Sequence, residues 1–141
     1  MKKVIFLLAA IGFITIAART NPEFSKEIRT KNSISYEEKY KACIEACNAC
    51  LVSCKSCEIA CTNSNDTKMA YCAQLCKESV AMCTVSIELM TLNSNYAKEV
   101  CVLCAKVCEK CADECEKMKM DPCKKCAADC RKTVKACTDM K

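Results

Sequence analysis

From residue 36 to residue 140 the chain repeats one arrangement: an inward type of residue returns in steps of four and three, with mostly polar or charged positions between. The first stretch reads Tyr36, Tyr40, Cys43, Cys47, Cys50, Cys54, Cys57, Cys61. Alternating steps of four and three keep side chains on one face of an α-helix, so the spacing predicts one helix with a continuous seam. Ser35 and Glu38 form a capping box that places its start near Tyr36. The polar run from Thr62 to Asp66 ends it. A second stretch reads Met69, Cys72, Cys76, Ser79, Cys83, Ile87, Met90, with Ser79 in a Cys place. After a break from Thr91 to Ser94, where Asn93 or Ser94 can cap the next helix, a third reads Ala97, Cys101, Cys104, Cys108, Cys111, Cys115, Met118. The fourth opens on Asp121-Pro122, a cap followed by Pro at the first helical position, and reads Cys123, Cys126, Cys130, Thr133, Cys137, Met140.

Four helices of about 19–27 residues, roughly 28–40 Å long, with short connections predict an all-α protein: an antiparallel up-down four-helix bundle over residues 35–141. Lys, Glu, Asp and Asn occupy the outward positions, so the seams face one another and the core is lined with sulfur. Composition sharpens this picture. Of 141 residues 18 are Cys, and there is no His, no Trp and a single Gly, at position 12. A His-dependent triad and mixed Cys/His zinc sites are excluded, and so is a Gly-rich phosphate loop. No C-x2-C sits beside a βαβ pattern, which argues against a redox enzyme. The expectation is a protein that is not an enzyme.

Lys2 and Lys3 precede an apolar run from Val4 to Ala18, interrupted only by Gly12 and Thr15. This reads as a secretory signal peptide over residues 1–18, cleaved after Ala17 or Ala18, and predicts an exported protein, periplasmic or extracellular. The run is about 15 residues, short of the roughly 20 a span needs, so no membrane contact is expected after cleavage. Residues 19–34 lack Cys and read as a linker or a short N-terminal helix opening at Asn21-Pro22-Glu23. Removing residues 1–18 leaves 20 basic against 17 acidic residues, a net of +3. Pairs such as Lys110–Glu114 and Asp113–Lys117 fit a solvated helix surface. The last segment carries Lys124, Lys125, Arg131, Lys132 and Lys135 without interleaved aromatics, so no nucleic-acid partner is expected.

Three chemistries can use a sulfur core. Packing alone is a poor account, because Cys fills less volume than Leu and leaves a loose interior. Disulfides are the default of exported proteins, but the helices supply 6, 3, 5 and 4 Cys in uninterrupted chains, which offers competing partners at each level. Soft thiolates select Cu(I), Zn(II) or iron–sulfur clusters. Iron–sulfur ligands gather in loops, unlike these seams. Four-thiolate zinc sites each carry a charge of −2 that a narrow apolar core cannot balance. Cu(I) takes two or three sulfurs and accepts bridging thiolates, so one ion per deprotonated Cys leaves the core neutral. Seven C-x3-C pairs lie in phase with the seam: Cys43/Cys47, Cys50/Cys54, Cys57/Cys61, Cys72/Cys76, Cys104/Cys108, Cys111/Cys115 and Cys126/Cys130. With Cys83, Cys101, Cys123 and Cys137 they are the candidate ligands for multiple Cu(I) ions.

On these C-x3-C repeats, over residues 35–141, the chain resembles the bacterial copper storage proteins, four-helix bundles lined with Cys. The resemblance implies storage or detoxification of Cu(I) without catalysis, and assembly into a homo-oligomer, commonly a tetramer. It also implies a His near the bundle mouth, which this chain lacks. With up-down topology Met69, Met118 and Met120 fall at the end shared by Cys61, Cys72, Cys115 and Cys123, and their thioethers suit weak, reversible entry of Cu(I). Tyr36, Tyr40, Met90 and Met140 fall at the other end, where the tyrosines form an apolar plug. Two rival readings stand: a thiolate buffer for Zn(II) or Cd(II), and a disulfide-stapled secreted helical protein that interacts through its surface.

Overall fold

Past Pro22 the chain has no Gly and only one further Pro, at 122, so helix is interrupted chiefly where short polar clusters compete for the backbone. The computed structural model describes residues 22–64 and 66–140, with side chains from residue 38 onward. It holds four helices: α1 (Pro22–Thr62), α2 (Met69–Thr91), α3 (Ala97–Cys115) and α4 (Asp121–Thr138). The start expected near Tyr36 is corrected. α1 runs unbroken for 41 residues, with Pro22 opening it and Ser35 and Glu38 inside it. A helix already propagating needs no new nucleus, so the capping box has no terminus to cap. The proposed signal segment, residues 1–18, lies outside the described residues.

Each connection closes by local hydrogen bonds. Between α1 and α2, Asp66 accepts the Lys68 backbone N–H on Oδ1 at 2.9 Å and the Met69 N–H on its carbonyl at 2.9 Å. α2 ends in a Schellman arrangement: Ser94 N–H donates to the Leu89 carbonyl at 2.9 Å and Asn93 N–H to that of Met90 at 3.0 Å. Asn93 takes φ 47°, the left-handed position that a Gly commonly holds. Asn93 thus closes α2, and the residue at the N-cap of α3 is Tyr96, without a side-chain cap; Ser94 Oγ accepts the Tyr96 N–H at 3.2 Å. α3 stops at Cys115, so Met118 lies in the α3–α4 connection. At α4 the cap position is Met120, and Asp121 is already helical beside Pro122.

Each helix contacts the next in sequence, and α4 closes the ring on α1. The diagonal pairs, α1 with α3 and α2 with α4, keep their backbones apart. This is an all-α up-down four-helix bundle with a central column between four walls. All eighteen Cys lie in that column, none more than 3% exposed. Tyr40, Leu75, Met90 and four Ala complete the apolar core. On α2 the expected Ile87 is only half-buried, and Ser86 takes its place with no exposure. The reason is phase: the run 72, 76, 79, 83, 86, 90 preserves the alternation, whereas a second step of four from 83 would rotate off the seam.

The surface holds the charges. Lys117 pairs with Glu114 at 2.7 Å, while Asp113 is taken by Arg131, which also binds both carboxylate oxygens of Glu116 and so ties α4 to the end of α3. Asp129 is the exception, with a side chain 4% exposed, held by Lys125 at 2.8 Å and Lys132 at 3.2 Å. Burial works against its charge, yet the two ammonium groups keep its carboxyl below the usual range. Among the described residues no helix is long and apolar enough to cross a membrane.

Candidate metal centre

Because neighbouring helices run antiparallel, the seams meet level by level. At one end Cys43 of α1 faces Cys137 of α4, sulfur to sulfur at 3.3 Å. Further along, Cys50 meets Cys130 at 3.4 Å and Cys54 meets Cys126 at 3.4 Å. At the far end Cys57 meets Cys123 at 3.3 Å, and Cys72 of α2 meets Cys115 of α3 at 3.4 Å. Within helices, the C-x3-C pairs Cys50/Cys54, Cys57/Cys61, Cys104/Cys108, Cys111/Cys115 and Cys126/Cys130 stand 3.6–4.0 Å apart. All eighteen thiols are free. A disulfide needs sulfurs at about 2.05 Å.

The sulfurs gather into overlapping groups whose members all lie within 4.8 Å of one another. Groups of four thiols include Cys54/Cys111/Cys126/Cys130, Cys57/Cys76/Cys115/Cys126 and Cys57/Cys61/Cys72/Cys123. Groups of three include Cys43/Cys101/Cys137 and Cys47/Cys104/Cys137. Cys57, Cys126 and Cys137 each belong to at least two groups. These groups can be filled together only if the shared thiols bridge two ions. Cys83 joins the network through Cys104 and Cys108, each at 3.9 Å.

Among the described residues no Lys or Arg is buried, so nothing basic offsets thiolate charge in the column. Burial accordingly pushes the thiol of Cys61 up, and that of Cys123 up to about 12. At these two positions burial favours the protonated thiol. A soft cation that replaces each proton removes the charge problem.

Met69, Met118 and Met120 are half-buried and pack against the core at the end that holds Cys61, Cys72, Cys115 and Cys123. At the opposite end Met90 is fully buried, Tyr40 is 9% exposed and Met140 is half-buried. Tyr36 has its side chain outside the described region. Two hydroxyls in the column, Ser79 Oγ and Ser86 Oγ, have no hydrogen-bond partner among the described residues. An orphaned buried hydroxyl costs about 1–3 kcal/mol. Ser86 is absent from the sequence reading of the seam, although the strict alternation of steps points to it.

A family model described as "Csp: Copper storage protein" matches residues 36–141. Among solved structures, the Cu(I)-bound copper storage protein BsCsp3 is 35% identical, with a TM-score of 0.69 over 74% of this chain and 97% of that one. Apo copper storage protein 3 from Bacillus subtilis is also 35% identical, with a TM-score of 0.67 over 71% and 96%. A copper storage protein from Streptomyces lividans, described as cytosolic and carrying five coppers, is 26% identical, with a TM-score of 0.70 over 75% and 94%. No curated protein matches the chain. The Streptomyces description overturns the expectation of an exported, periplasmic or extracellular protein.

Proposed function

The chain belongs to the copper storage protein family, and from that premise we propose that it takes up many Cu(I) ions on the thiolates of its core and holds them, as a store or a sink, without catalysis. The observation that carries this reading is the sharing of Cys57, Cys126 and Cys137 between adjoining thiol groups. Shared thiols call for a metal that accepts bridging thiolates, and Cu(I) does so with two or three sulfurs per ion. One Cu(I) per thiolate also leaves the column uncharged, which suits a core without a buried cation.

The ligands are the eighteen Cys: Cys43, Cys47, Cys50, Cys54, Cys57, Cys61, Cys72, Cys76, Cys83, Cys101, Cys104, Cys108, Cys111, Cys115, Cys123, Cys126, Cys130 and Cys137. Met69, Met118 and Met120 form the mouth, where thioethers pass ions inward without holding them. Placement in the cytosol, as described for the Streptomyces relative, accounts for thiols that stay reduced before metal arrives. Assembly into a homo-oligomer belongs to the same reading.

The test is an anaerobic Cu(I) titration of the reduced protein against a competing chelator, repeated with Zn(II). Tight uptake approaching one ion per Cys, well above the zinc capacity, supports storage. Uptake of a few ions only, with Zn(II) held as firmly, refutes it in favour of a zinc buffer.

A further inference from the structure

Ser79 and Ser86 sit on the α2 seam in the phase of its thiols, fully buried, with neither hydroxyl bonded among the described residues. Their state is unusual for this molecule. Ser53 Oγ donates to the Cys50 carbonyl at 3.1 Å, and Thr133 Oγ1 is within reach of the Ala46 carbonyl at 3.0 Å and that of Asp129 at 3.1 Å. Thr84 and Thr91, on the same helix, donate to the carbonyl one turn back, each at 2.8 Å. A hydroxyl on α2 thus has a backbone acceptor open to it, and the two serines in the column do not use it.

Their neighbours along the α2 seam carry sulfur. Ser79 stands between Cys76, which reaches Cys111 and Cys126 at 3.8 and 3.9 Å, and Cys83, which reaches Cys104 and Cys108 at 3.9 Å. Ser86 is the next place along, between Cys83 and the fully buried Met90. A neutral thiol is a weak acceptor. A metal-bound thiolate carries negative charge and accepts a hydroxyl proton strongly. The empty core therefore offers these donors little, and a loaded core offers them a good partner.

We propose that Ser79 and Ser86 are the positioning donors of the column, left unbonded when it is empty and donating O–H···S⁻ hydrogen bonds to metal-bound thiolates when it is filled. The donors hold the bridging sulfurs in orientation and draw charge from them, as outer partners do around other metal sites. This role rests on the Cu(I) storage reading.

The paired substitution Ser79→Ala with Ser86→Ala keeps the helix and nearly the volume while deleting both hydroxyls. Its copper capacity is expected to equal that of the wild type, with a subset of ions held about tenfold more weakly against a chelator. The thermal midpoint of the empty protein should rise, because two unbonded hydroxyls are gone, while that of the loaded protein should fall. Shifts of the same sign in both forms would mean a packing role and overturn the proposal, as would an unchanged affinity. Ser79→Cys gives an independent reading: a gain in capacity is expected, and no gain would mean that this place does not face the ions. Wild-type protein titrated in parallel separates the two levels. If the wild type fails to load, the storage reading itself falls and the serine role falls with it; if it loads and the alanine pair behaves identically, only the serine role falls.

Discussion

Single thiols set how the molecule responds to pH. Burial raises the thiol of Cys123 from the ordinary 9.0 to about 12, and that of Cys61 in the same direction. Between those values the unfolded chain has released protons that the folded chain still holds. At these two positions the folded state then binds more protons, so their contribution to stability is full below pH 9 and falls as pH rises toward 12. Chemical denaturation of the empty protein across that range should show a falling midpoint. Copper uptake runs the other way, since each ligand gives up a proton on binding, and apparent affinity should rise with pH from 6 to 9 in a chelator competition. Asp129 offers a contrast. Its carboxylate is buried while Lys125 and Lys132 are largely exposed. Replacing both lysines with Ala strands a buried charge and should cost about 2–3 kcal/mol, whereas Asp129→Ala strands nothing and should cost about 1 kcal/mol; urea denaturation at pH 7 distinguishes them.

Helices and their ends show where the sequence is a sufficient guide. The phase of the Cys seam is legible because steps of four and three have one structural meaning, and the core follows from it residue by residue. Ser86 escapes a reading that looks for apolar side chains, and Ile87 attracts it, although only Ser86 keeps the phase. The start of α1 escapes because a capping box looks the same at a terminus and inside a continuous helix. Asn93 reads as a cap for the helix after it and in fact closes the one before it, through a left-handed φ of 47° that local sequence does not announce. Asn93→Ala should therefore cost about 1 kcal/mol, measured as a drop in thermal midpoint, and Asn93→Gly should be neutral or stabilising. At the proposed mouth, Met69→Leu with Met118→Leu and Met120→Leu keeps apolar bulk and removes sulfur. The expected result is slower copper uptake in stopped-flow absorbance at unchanged final capacity.

At the scale of the whole molecule, the compartment is what the bundle does not encode: Lys2, Lys3 and the apolar run after them speak for eighteen residues, and the relative described as cytosolic speaks against the conclusion drawn from them. The ring of four walls with separated diagonals is readable from helix number and loop length alone. A column lined with small thiols packs less densely than one of Leu and Ile, so the filled form should be markedly the more stable. Differential scanning calorimetry should show a midpoint that climbs with each increment of copper and returns when a chelator removes it.

The overlapping thiol groups also bear on how stored ions would move. From Cys43 to Cys123 the sulfurs form one unbroken chain of steps no longer than 4.8 Å, in which every Cys takes part. An ion moving along it would exchange one sulfur for the next and never have to shed all its ligands. Filled with Cu(I) as proposed, such a reservoir would behave as a stirred vessel, where cargo has no fixed berth and no order of arrival is kept. Protein filled first with one copper isotope and then topped up with another should discharge both in the proportion loaded, from the first ion released to the last.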